Sequence, residues 1–125
     1  MTKRSAEREQ FLADIITTAV EGGINYWAAV SSYHWSFEEP ATTKVTVHEM
    51  DDDEMDYKEV GVRVDIGCIA GAISKIIDRN VELHLHESYR QSIAEASSAN
   101  DTGELDSIFA DIIVQVAVLG DVIYG

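Results

Sequence analysis

The sequence predicts an α+β fold in one domain, and three observations predict it. Apolar residues recur at spacings of three and four in four separate stretches. Between the first and second of these lie three stretches that alternate with period two. The length of 125 residues suits one domain over 1–125, and no linker, repeat or low-complexity tract divides it. The expected order is an N-terminal helix, a three-stranded antiparallel meander, three further helices and a short C-terminal strand.

The first helix is expected from Ser5 to Val20, with Ser5 as N-cap and Phe11, Leu12, Ile15, Ile16, Ala19 and Val20 on one face. Gly22 and Gly23 follow as a left-handed stop. From Ile24 to Phe37 the aromatic content favours a strand, on which Trp27, Ala29, Ser31, Tyr33, Trp35 and Phe37 share a face. Pro40 marks a turn. Thr43 to Met50 and Tyr57 to Val64 alternate, the second with Val60, Val62 and Val64 on one face, and an acidic turn joins them into a hairpin.

Asp65 can cap the next helix, Ile66 to Asp78, whose buried stripe runs through Ile66, Ile69, Ala70, Ile73, Ile76 and Ile77, with Asn80 as terminator. Cys68 lies in this stretch and reads as a small core residue. Glu82 to Ala99 follows as a helix whose start also alternates like a strand, at Val81, Leu83 and Leu85. The organising stretch is the last, Leu105 to Gly125. Leu105, Ile108, Phe109, Ile112, Ile113 and Val116 make one stripe, Gly120 stops the helix, and Val122-Ile123-Tyr124-Gly125 is a short strand that can join the sheet.

Charge is the outlying property. There are 23 acidic and 9 basic residues, a net charge of −14. Such a surface repels phosphate backbones, so direct nucleic-acid binding is not expected, and cationic partner proteins are favoured. Met1 to Gln10 lacks the apolar run of a secretory signal, and no apolar run approaches the roughly 20 residues of a membrane span. These features and the single cysteine fit the cytoplasm.

No residue set has the type and spacing of a catalytic or metal site, so the expectation is a non-enzymatic protein without cofactor or metal. Glu82, His84 and His86 would share a face only on a strand, and no third firm ligand follows. Asp51, Asp52, Asp53, Glu54 and Asp56 lack the twelve-residue calcium-loop pattern, with Asp56 where glycine belongs and Val62 where glutamate belongs. Glu21-Gly22-Gly23 follows a helix and lacks the phosphate-loop pattern.

Two patches remain as partner-binding candidates. One is the acidic hairpin tip, Asp51, Asp52, Asp53, Glu54 and Asp56, and the other is the aromatic group Trp27, Tyr33 and Trp35. A second reading gives a small-molecule or enzyme pocket lined by Tyr26, Trp27, Tyr33 and His34. A third is a structural protein that self-associates through a sheet edge or the C-terminal strand.

The segment Asp14-Ile-Ile-Thr-Thr-Ala-Val-Glu-Gly-Gly-Ile-Asn-Tyr-Trp27 with Tyr33 and Trp35, and the segment Ala110-Asp-Ile-Ile-Val-Gln-Val-Ala-Val-Leu-Gly-Asp-Val-Ile-Tyr-Gly125, resemble small acidic proteins of actinobacteriophages and related mobile elements. The likeness covers both ends of the chain and fits the middle loosely. It implies a setting, an accessory phage or prophage protein in the bacterial cytoplasm, and it implies no catalytic residues. In that setting the expected partner is a host or competitor protein with a basic surface, with carboxylates standing in for phosphates.

Overall fold

A computed structural model describes residues 4–51, 56–103 and 106–125. Helix α1 (Ala6–Thr18) starts where Ser5 Oγ accepts from the Arg8 amide at 3.1 Å, as the sequence predicts. Its end differs from expectation. The helix widens into a π-turn, Ala19–Gly23, and neither Gly22 nor Gly23 has a positive φ. Gly23 serves closeness instead: a Cβ there would lie 2.9 Å from the Ser107 carbonyl at the start of the last helix.

The meander forms around β2 (Lys44–Asp51), with β1 (Ala28–His34) on one side. The predicted first strand is therefore shorter, and Ser32, at φ 52°, sits in a register shift between Ser31 and His34. The return strand is broken into β3 (Asp56–Tyr57) and β4 (Val62–Asp65). Met50 pairs with Tyr57, yet Val47 pairs with Val62 where an unbroken register would give Val60. The two extra residues break up the single face expected for Val60, Val62 and Val64: Val60 is 85% exposed and Val64 is buried. Gly61 permits the bulge, because a Cβ would sit 2.4 Å from Thr46 Cγ2.

Asp65 ends β4 and caps α2 (Ile66–Ile77), its Oδ1 accepting from the Cys68 amide at 3.0 Å. That bond, chiefly, holds the Asp65 carboxyl below its ordinary range. Helix α2 ends at Ile77, three residues before Asn80, and the buried Arg90 side chain caps that end, donating to the carbonyls of Ile76 (2.7 Å), Asp78 (2.8 Å) and Val81 (2.8 Å). Arg90 belongs to α3 (Glu87–Ala99), which starts later than the sequence suggested, after an irregular stretch at 81–86.

Helix α4 (Ser107–Leu119) packs against α1, α2, the π-turn and β4, and is the centre of the core. Every residue from Ala110 to Val116 is buried, and Gly120 closes the helix at φ 82° as predicted. Ile108, placed on the buried stripe from the sequence, is 56% exposed. Val45, Val47 and Val64 present the sheet's inner face to the helices, with Phe11, Ile69 and Ile113 among the residues that fill the space between. The expected C-terminal strand is not formed. Residues 121–125 are a bend and irregular backbone that pairs with no strand among the described residues, and a side chain of α4 takes the backbone groups of Ile123 and Tyr124.

Candidate functional site

That side chain is Gln115, fully buried. Its Oε1 accepts from the amides of Ile123 (2.8 Å) and Tyr124 (2.9 Å), and its Nε2 donates to the Tyr124 carbonyl at 3.1 Å. One turn earlier lies Asp111, also buried. Its Oδ1 accepts from Trp27 Nε1 at 2.7 Å and Gln115 Nε2 at 3.0 Å, and its Oδ2 accepts from the Tyr26 hydroxyl at 2.5 Å. The carboxylate thus accepts from three donors, Tyr26 and Trp27 from a distant part of the chain and Gln115 from the next turn of α4. Burial of the phenol and its bond to Asp111 push the Tyr26 pKa up to about 12.

Tyr124 closes the group. Its ring stacks on Trp27, centroids 5.4 Å apart and planes 9° from parallel, and its hydroxyl donates to Glu49 Oε2 at 2.7 Å. This bond and the one from Lys58 hold the Glu49 carboxyl below its ordinary range. The tail is pinned again at Asp121, which accepts from the His84 amide (2.7 Å) and meets His84 Nδ1 at 2.6 Å.

A cleft of about 220 Å³ opens beside this group, lined in part by Tyr26, His84, His86, Tyr89 and Asp111. It is smaller than the roughly 300 Å³ at which ligand pockets begin. Both Asp111 oxygens are already occupied, so the arrangement locks a fold rather than awaiting a substrate. Neither Asp111 nor Gln115 was singled out from the sequence. The signal was there: each is a polar residue inside a run of apolar helix positions.

The pocket expected from Tyr26, Trp27, Tyr33 and His34 is not formed. Trp27 is fully buried and is removed from the accessible aromatic patch by its bond to Asp111. Tyr33 turns its hydroxyl to Thr17 at 3.0 Å, and His34 meets Thr42 at 3.2 Å, beyond the bulge at Ser32. Tyr26 and His34 therefore serve different ends of β1. Glu82, His84 and His86 do not gather either, and among the described residues no three His, Cys, Asp or Glu side chains are placed to hold a metal.

Tyr26 is 52% exposed beside Asp111, and a second set of exposed aromatics runs on from the bulge. Tyr33 is 39% exposed, Trp35 52% and Phe37 78%, followed directly by Glu38 and Glu39, both exposed. Of the acidic tip, Asp51 is part-buried and Asp56 exposed, while Asp52, Asp53 and Glu54 lie outside the described residues. Several basic side chains are engaged within the fold. Arg90 caps α2, Arg8 binds the Ser97 carbonyl and Asn100, Lys58 pairs with Glu49 and Arg79 with Glu87. The excess of negative charge is therefore left largely on the surface.

No protein-family model, curated protein or solved structure matches this chain. No described helix is long and apolar enough to cross a membrane.

Proposed function

We propose that this chain is a non-enzymatic protein that acts by binding another protein with a basic surface. The exposed aromatic strip Tyr33–Trp35–Phe37 carries the reading. Trp35 and Phe37 are 52% and 78% exposed, and large aromatic side chains left in water are groups that anchor interfaces. The net charge of −14 selects the partner's sign and speeds its approach. Glu38 and Glu39, beside the strip, join aromatic anchor to acidic rim, and the hairpin tip from Asp51 to Asp56 is a second acidic contact. In the setting that the resemblance implies, an accessory phage or prophage protein in bacterial cytoplasm, the partner is a host or competitor protein that handles nucleic acid, and the carboxylates take the place of phosphates.

Affinity capture with the tagged chain, repeated with a Trp35→Ser/Phe37→Ser variant and an Asp51→Asn/Asp52→Asn/Asp53→Asn variant, tests this. A basic protein retained at low salt, released as salt rises and lost from the aromatic variant supports the reading. Retention unchanged by both variants, or no retained protein, overturns it.

A further inference from the structure

Against the acidic background one groove runs the other way. Arg4, Lys44 and Arg63 line a groove of about 490 Å³ together with Thr42, Thr43 and Gly67. Three of the nine basic residues of the sequence thus converge on one place. None of the three makes a salt bridge among the described residues.

The fold explains why they stay unpaired. Lys44 lies directly across from Asp65 in the β2–β4 ladder, the position where an ion pair would form. Asp65 is instead turned to the start of α2, where Cys68 and Gly67 chiefly hold its carboxylate and Arg63 adds only a smaller electrostatic attraction, without an ion pair. Arg63 is two residues from Asp65, so it projects from the same face of β4 and sits diagonal to Lys44. Arg4 comes from the segment before α1. Glu9 and Asp65 also line the groove, so its lining carries a net +1, from three cations less two carboxylates.

A further unsatisfied group stands at the same place. Thr43 Oγ1 is buried and has no hydrogen-bond partner, an arrangement that costs free energy in a folded chain. The amides at the start of α2 are taken by Asp65, so the cations carry the site.

We propose that this groove binds a compact phosphate oxyanion of the pyrophosphate class. Guanidinium and ammonium groups on adjacent strands offer both forked and point donors, the combination that suits clustered phosphate oxygens. A compact ion is favoured over a nucleic-acid strand by range. Screening limits the repulsion from the remaining surface to about 8–10 Å at moderate salt, so an ion inside the groove escapes it and a long polyanion does not.

The test is calorimetric titration of the full chain with inorganic pyrophosphate, with orthophosphate and ADP as further arms. Saturable one-to-one binding of pyrophosphate is expected, weakened about tenfold or more in each of Lys44→Gln and Arg63→Gln, and unchanged in Lys75→Gln, a cation on α2 outside the groove. Equal affinity for pyrophosphate and ADP identifies a free-anion site, and tighter ADP binding identifies a nucleotide. Each substituted cation is exposed, so circular dichroism of the variants should match the wild type. Three results would overturn the proposal. One is absence of saturable binding. Another is equal weakening by Lys75→Gln. The third is concentration-dependent self-association, abolished by the groove variants, that shows an acidic segment of a second copy to be the occupant.

Discussion

Gln115 reads the backbone of Tyr124 from both sides. Its Oε1 accepts the Tyr124 amide and its Nε2 donates to the Tyr124 carbonyl, so one amide side chain does for the tail what a neighbouring strand would do. The same Nε2 donates to Asp111 Oδ1, which ties the tail to the Trp27 site through a single residue.

Gln115→Leu should therefore destabilise the protein by about 2–3 kcal/mol. It leaves the Ile123 and Tyr124 amides without their acceptor at roughly 1 kcal/mol or more each. Gln115→Glu should cost more, about 3–5 kcal/mol at neutral pH, because a second buried carboxylate would face Asp111 at hydrogen-bond distance. Urea unfolding of both variants checks the order. Acidification should bring the glutamate variant closer to the leucine one as the new carboxyl is protonated.

Tyr26 gives a pH dependence on the alkaline side. Its folded pKa, about 12, lies above the ordinary value of 10.0, so the native state holds the phenol proton more tightly than the unfolded chain. The contribution is complete below about pH 10 and is lost as pH rises toward 12. Tyr26→Phe should flatten this alkaline decline in a series of denaturant titrations. An ultraviolet titration should show a late-ionising phenol in the wild type that the variant lacks.

Thr43→Val should raise stability by about 1 kcal/mol in the absence of ligand. The hydroxyl is buried and unpaired, and valine keeps the shape while removing the desolvated oxygen. Thermal unfolding in a buffer free of phosphate is the appropriate measurement, since an occupied groove would change the reference state.

The elements that the sequence disclosed are those whose partners are close in the chain. Ser5, Asp65 and Gly120 each act within four residues of themselves, and each does what its position predicts. The valines of β2 alternate and are buried alternately. The errors have the opposite character. Val60 is exposed because of a bulge whose need for two extra residues is set by pairing with β2. The final run, apolar enough to read as a strand, is claimed by a side chain eight and nine positions earlier.

The sites divide in the same way. Trp35 is exposed and Trp27 buried, which parts two aromatics that the sequence reading placed in one patch. The burial of Trp27 depends on Asp111, 84 positions away, a pairing that no local pattern encodes. Lys44 and Arg63 are ordinary strand residues until the ladder sets them diagonal and Asp65 turns away.

The bond from Trp27 to Asp111 spans 84 positions. At a synthesis rate of about 5–20 residues per second, Asp111 is made on the order of ten seconds after Trp27. It must then clear the ribosome before it can accept the indole N–H, and Tyr124 must follow before the indole face is covered. During that interval the nascent chain carries an unshielded tryptophan beside a sheet that can already pair. The Trp27 site is therefore completed only once α4 and the residues after it have emerged, and until then the indole stays open to chaperones and to aggregation.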